Sequence, residues 1–188
     1  MCNAYRLDLP ADLMRMEFSQ LKIPFRLPDP VQNFEPRDVR IRELAPVIQP
    51  EPDGGARLGD MIWAWPGPSG KPVFNFRSDG RDFSRAERSL IPAAAFYEYT
   101  APADPKAKRK DRWAFTVQGR AWFAIAGVVR EGCWSMLTTE PGPLLRNYHG
   151  RQVVILPPEL WGAWLSAGLH GDALAEATAK APLQVARA

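Results

Sequence analysis

The sequence predicts an α+β fold: one domain over residues 1–188, with a mostly antiparallel, barrel-like sheet and peripheral helices. Three observations lead there. Short apolar or alternating segments recur through the middle of the chain, joined by turns of few residues. Helical periodicity is confined to the two ends. The 19 Pro and 14 Gly favour turns and loops over long helices. A hydrophobic fraction of 46%, with 7 Trp, supplies a substantial core without disulfides or metals.

Pro10 opens a short amphipathic helix to about Lys22, with Met14, Phe18 and Leu21 on one face. Extended segments at Leu44–Gln49 and Arg57–Trp65 flank Glu51-Pro52-Asp53-Gly54-Gly55 and read as a hairpin with a loose loop. Further strands are expected over Ile91–Thr100, Trp113–Gln118, Ala121–Val129 and Trp134–Thr139. Gln118-Gly119-Arg120 supplies a tight turn between the second and third of these. Val153–Leu156 is a short buried strand. Pro157-Pro158 then starts a helix, Glu159 to about Ala167, closed by Gly168. A last helix runs from about Asp172 to Lys180. No repeat or low-complexity linker divides the chain.

Composition narrows the function. Cys2 and Cys133 are the only cysteines, too few for a disulfide framework or a cysteine-based zinc site. His149 and His170, with no Cys or Asp cluster beside them, make no metal site, and no cofactor is expected. The start of the chain lacks the apolar core of a signal peptide. Its longest strongly apolar stretch, Ala121–Val129, is far too short to cross a bilayer. The expectation is a cytoplasmic monomer with no membrane partner. A net charge of +3 and a pI near 9.0 permit a nucleic-acid partner without demanding one. Lys106-Ala107-Lys108-Arg109-Lys110-Asp111-Arg112 is the densest basic run and reads as an exposed loop.

Cys2 directly follows the initiator Met1. Initiator methionine is normally trimmed ahead of a residue as small as cysteine. Trimming would leave an α-amine and a thiol on adjacent carbons, a pair that no internal cysteine offers. Such a group can attack as a thiolate with its own amine as base, or capture an aldehyde as an imine that the thiol closes to a thiazolidine. With an amine titrating near ~8 and a thiol near ~8.5, both have reactive fractions at neutral pH.

Other patterns carry chemistry. Asn75-Phe76-Arg77-Ser78-Asp79 gathers amide, guanidinium, hydroxyl and carboxylate after an extended segment. Glu98 stands among aromatic and small residues in Pro92–Tyr99; facing inward, its pKa would rise and make it a general acid. Thr138-Thr139 ends one strand, and His149-Gly150-Arg151 precedes the next. Trp63 and Trp65 share a face of a strand. Core packing accounts for at least one of them; exposed, the pair would stack bases of a single strand.

Taken in order, these segments resemble the SRAP family, the SOS response-associated peptidase domains. Members typically show Met-Cys-Gly-Arg, Asn-Ala-Arg-Ser-Glu, Gly-Phe-Tyr-Glu-Trp and His-x-Arg-Met-Pro-Val-Ile-Leu. Here the matching segments are Cys2, Asn75–Asp79, Ile91-Pro92-Ala93 with Phe96–Tyr99, Thr138-Thr139 and His149–Leu156, spanning about residues 1–165. The resemblance implies the SRAP fold and a partner: single-stranded DNA containing abasic sites, with nucleoid association when bound. It implies a stable thiazolidine crosslink between Cys2 and the deoxyribose aldehyde. Asn75 would position the sugar and the Cys2 backbone, Glu98 would shuttle protons, and His149 would assist at the ring oxygen. Arg77 would hold a phosphate, Arg151 would also contact DNA, and Trp63 would pack against bases. Asn3-Ala4 replaces the usual Gly-Arg, Asp79 stands for Glu, Ala95 for Gly, Tyr99 for Trp and Gln152-Val153 for Met-Pro, while every proposed chemical group is retained.

Two other functions compete with crosslinking. One is a cysteine-dependent peptidase or amidohydrolase with Cys2 as N-terminal nucleophile and His149 or the α-amine as base. The other is a non-catalytic single-strand binder.

Overall fold

The computed structural model describes residues 2–28, 34–104 and 106–188. Met1, whose removal is expected, and Pro105, just ahead of the basic run, lie outside the described residues. The strands are β1 Ala4–Leu7, β2 Phe25–Arg26, β3 Arg37–Arg40, β4 Leu44–Pro50, β5 Ala56–Trp63, β6 Trp65–Pro66, β7 Pro72–Val73 and β8 Asn75–Arg77. They continue as β9 Glu87–Ala93, β10 Ala95–Thr100, β11 Asp111–Val117, β12 Phe123–Arg130, β13 Cys133–Thr139, β14 Gln152–Val153, β15 Ile155–Leu156 and β16 Leu183–Arg187. Among the described residues three α-helices accompany them: α1 Ala11–Gln20, α2 Trp161–Leu165 and α3 Asp172–Ala179.

Strands dominate, and the pairing is mostly antiparallel. A five-stranded sheet has the order β16-β11-β10-β1-β3. In the larger sheet, β13-β12-β9-β4-β5 run side by side, and β5 pairs in parallel with β13 through Ile62–Cys133 and Trp63–Trp134. That pairing closes the five strands into a ring, the predicted barrel. Ala94, between β9 and β10, carries the chain from barrel to sheet, and its N–H donates to Arg6 O of β1.

The elements follow from local chemistry. Gly54 adopts a left-handed φ of 81° in the predicted hairpin loop, and β4 and β5 pair from Leu44–Ile62 to Pro50–Ala56. Gly119 also turns at φ 72°, yet the strands it joins do not pair: β11 lies in the five-stranded sheet and β12 in the barrel. A tight turn fixes a change of direction, whereas apolar faces choose the partner. Two left-handed residues, Glu131 and Gly132, make the tight hairpin between β12 and β13, as a primed turn requires. The expected helix Glu159–Ala167 is a 3-10 turn, Pro158–Leu160, followed by the short α2.

Beyond that hairpin, β12 and β13 diverge. The segment Gln152–Leu156 enters the gap: β14 pairs with β13, β15 pairs with β12, and Val154 bonds both ways, N to Leu137 O and O from Ala126 N. This insertion delivers the residues before it to the end of the barrel. Inside, Trp63 and Trp134 stack with centroids 5.3 Å apart and planes 4° apart, and Tyr5 sits edge-on to both.

Gly127 of β12 admits no side chain. A Cβ there would meet Ile91 Cδ1 at 2.2 Å and the Ser135 backbone oxygen at 3.0 Å. Gly127→Ala is expected to destabilise the fold by about 1–3 kcal/mol. Gly150→Ala, with open space around it, should fall within about 0.5 kcal/mol of wild type. Denaturant melts of the two variants check this.

Candidate functional site

Pairing of β1 with β10, Tyr5 opposite Phe96, lays the start of the chain beside Glu98. Cys2 is buried there, 1% exposed. Both polar groups of its backbone are held: Asn75 Nδ2 donates to Cys2 O at 2.8 Å, and the Glu98 carboxylate accepts from the Cys2 backbone N–H. Asn75 arrives on β8, which runs parallel to β13. Its Oδ1 is buried without a hydrogen-bond partner, an acceptor left available beside Cys2.

Burial governs the electrostatics. Desolvation pushes the Cys2 thiol up to about 12; Glu98 raises it further, against backbone groups of Tyr97 and Ala4. Glu98, 2% exposed, is itself pushed above the ordinary carboxylate range by desolvation, against the pull of neighbouring positive charge that includes His149. This inward-facing carboxyl is the one the sequence suggested.

His149 borders two adjoining clefts. One, of about 370 Å³, is lined by Asn3, Glu98, Tyr99, Lys110 and His149. The other, of about 360 Å³, is lined by Asn75, Arg77, Thr138, His149 and Arg151. Together they bring Asn75, Glu98 and His149 to one place, with Arg77 exposed at the edge, and Cys2 is buried behind them, bonded to Asn75 and Glu98. A larger apolar cavity of about 550 Å³, flanked by Phe123, Ile155, Trp161 and Ala177, holds none of these residues. It lacks the acid and imidazole that converge on the smaller clefts beside Cys2, which therefore make the better site. Among the described residues no group of three or more His, Cys, Asp or Glu could hold a metal ion.

Two expected DNA contacts need correction. Trp63 is fully buried, with its indole N–H on Phe74 O at 2.9 Å and its ring against Trp134, so it has no face for a base. Trp65 is buried as well, against Phe76, and Ala64, at φ 84°, ends β5 between the two, so they do not share a face of one strand. Arg151 is turned inward: its guanidinium meets Asp79 Oδ2 at 2.5 Å, Thr138 O at 2.7 Å and Glu140 Oε1 at 3.1 Å. Asp79 thereby pairs with Arg151 and not with Arg77.

Several contributors escaped sequence reasoning. Asn3 and Lys110 line the cleft with Glu98. Arg112, the last cation of the basic run, lies over the Tyr97 ring at 3.6 Å and meets Asp38 at 2.5 Å, so it braces the sheet. Tyr97 and Asp38 are 59 positions apart and bonded at 2.9 Å, a separation that no local motif signals.

A family model for SOS response associated peptidase (SRAP) domains matches residues 1–186. This chain belongs to the SRAP family. Membership associates it with the SOS response to DNA damage and fits a DNA-modifying or peptidase-like activity. Solved structures share the fold. A Bordetella bronchiseptica protein is similar over 100% of this chain and 99% of its own, with a TM-score of 0.72 and 22% identity. A Bacteroides thetaiotaomicron protein is 15% identical over 99% of this chain and 91% of its own, with a TM-score of 0.70. A phage-related protein from Bordetella bronchiseptica is 18% identical over 100% and 94%, with a TM-score of 0.68. No curated protein matches the sequence. No helix of this SRAP domain is long and apolar enough to cross a membrane among the described residues.

Glu98 makes stability depend on pH in a definite direction. Its folded pKa lies above its unfolded value, so the folded state holds the proton more tightly and stability falls as pH rises from about 4 through the folded pKa. Glu98→Gln removes that loss. The melting temperature of the variant should gain on wild type progressively as pH rises from about 4 towards 7. Thermal melts across this range would show instead a constant difference if the carboxyl were insensitive to its burial.

Proposed function

We propose that this SRAP domain captures abasic sites in single-stranded DNA, forming a thiazolidine through Cys2 once Met1 is removed. The carrying observation is the contact of the buried Glu98 carboxylate with the Cys2 nitrogen, the atom that trimming would convert to an α-amine. The amine adds to the aldehyde carbon of the opened deoxyribose, and water leaves as the imine forms. The thiol then adds to the imine carbon while its proton passes to the nitrogen. One water is lost overall, and the second addition is intramolecular, with a correspondingly large effective molarity.

The side chains suit these steps. A carboxyl of raised pKa can give a proton to the departing oxygen and take one from the amine. Asn75 fixes the Cys2 carbonyl and offers its unpartnered Oδ1 nearby. An abasic nucleotide presents no base that must be unstacked. The alternative peptidase chemistry needs a thiolate at the outset. A thiol pushed to about 12 does not supply one at neutral pH, which favours the route in which nitrogen attacks first.

Intact mass spectrometry of the protein after incubation with an abasic oligonucleotide tests the reading. The expected product is protein lacking Met1 plus the oligonucleotide less one water. Glu98→Gln should form it about two to four orders of magnitude more slowly, with noncovalent binding unchanged. Cleavage of an amide substrate without a DNA adduct would favour the peptidase, and an adduct formed with Met1 retained would exclude the aminothiol route.

Arg77 is expected to contribute affinity rather than chemistry, since it is exposed at the cleft and Asp79 is engaged elsewhere. For Arg77→Ala, the slope of log affinity against log salt should become shallower by about 0.7 on undamaged single-stranded DNA. The crosslinking rate at saturating DNA should remain. Fluorescence anisotropy over a salt series gives the slope, and an unchanged slope removes Arg77 from the interface.

A further inference from the structure

We infer that Arg151 is a positioning residue: clamped by Asp79 and strand β13, its backbone amide holds neutral His149 as the Nε2–H tautomer, a hydrogen-bond donor at Nε2 rather than a base. This deepens the proposed crosslinking function and rests on it for the role of the imidazole in the reaction, but the tautomer itself does not.

Geometry fixes the proton. The Arg151 backbone nitrogen lies 3.0 Å from His149 Nδ1 with its hydrogen directed at the ring. A backbone N–H only donates, so Nδ1 must offer a lone pair and the neutral ring carries its hydrogen on Nε2. Arg151 O, 3.2 Å from the same Nδ1, can accept only when that nitrogen is protonated. The backbone of one residue thus partners His149 in both charge states, and in the neutral state it selects one tautomer.

The amide can do this only if it does not move, and the Arg151 side chain provides the anchor. It is buried, and its Nη2 meets both Asp79 Oδ2, at 2.5 Å, and Thr138 O, at 2.7 Å. Asp79 in turn accepts from Thr139 Oγ1 at 3.0 Å, and Ser78 donates its backbone N–H and its hydroxyl to Thr138 O at 2.8 and 2.9 Å. One residue later, Gln152 pairs with Thr139. The amide aimed at His149 is therefore fastened to the end of β13 by an ion pair and a ladder. Nη1 meanwhile reaches Glu140 Oε1 at 3.1 Å, and contacts spread over two nitrogens of one rigid plane are a property of the guanidinium that lysine lacks.

The assignment changes what His149 can do. A neutral Nε2–H donates a hydrogen bond to the sugar ring oxygen or to the departing hydroxyl and stabilises charge developing there. It presents no lone pair at Nε2 to activate the thiol, so in this state His149 is unsuited to the general-base role of a cysteine hydrolase.

Long-range ¹H–¹⁵N correlation spectra of histidine-labelled protein, without DNA, read the tautomer directly, with His170→Gln assigning the two rings. Neutral His149 should show a pyridine-type Nδ1 and a pyrrole-type Nε2. In Arg151→Ala the preference should be lost, and crosslinking to abasic DNA should slow by about tenfold or more while affinity for undamaged single strands is kept. Asp79→Asn should move the tautomer in the same direction, and Arg151→Lys should restore it only in part. A pyrrole-type Nδ1 in wild type overturns the inference. So does an Arg151→Ala protein whose tautomer is unchanged but whose DNA affinity falls, which would make Arg151 a DNA contact. If no variant and no wild-type protein crosslinks, the proposed function fails while the spectra still decide the tautomer.

Discussion

Closure of the barrel along strand β13 is the constraint on which the site depends. One edge of β13 pairs with β5 at Cys133–Trp134 and with β8 at Met136–Thr138; the other pairs with β12 and then β14. Asn75 comes with β8, and His149 and Arg151 come with the segment leading into β14. The two arrive on opposite flanks of one strand and meet at its end. The Trp63–Trp134 stack sits at the parallel contact that closes the ring, where large buried aromatic area opposes any slip of register.

Cys2 and Glu98 are buried at the floor of the site, and the chemistry follows from that. The Cys2 thiol and the Glu98 carboxyl are buried side by side; each is raised by its own desolvation, and the Glu98 charge raises the thiol further. A thiolate beside the Glu98 carboxylate would be costly there. Such a site is poor for a thiolate nucleophile and good for moving protons on and off a nitrogen and an oxygen. The unpartnered Asn75 Oδ1 is a further cost held at the same point, consistent with an acceptor reserved for another species.

Departures from the family pattern acquire structural meaning. Position 4, usually arginine, is a buried Ala4 paired across β1 and β3 with Arg40. Cationic character near the cleft comes instead from exposed Lys110 at its rim and from Arg77. Asp79, shorter than the usual Glu, still reaches Arg151 because Ser78 and Thr139 hold its own strand end against β13.

By itself the sequence determined the composition of the core, the strand-rich character of the middle, the hairpin around Gly54 and the identity of the reactive groups. Periodicity, turn chemistry and rare functional residues are local properties, and Cys2, Asn75, Glu98 and His149 each stood out by them. The tertiary structure alone decided partnership. Short strands such as Ala4–Leu7, Asn75–Arg77 and Leu183–Arg187 have too few residues for a periodic signal and exist because a neighbouring edge completes their hydrogen bonds. The turn at Gly119 looked like a hairpin but crosses between sheets. Trp63 looked like a platform for bases but is packed against Trp134, and Arg151 was expected to contact DNA but is held by Asp79. A side chain's type states what it can bond; which of its possible partners it meets is set by contacts between residues far apart in the chain, and those only the fold supplies.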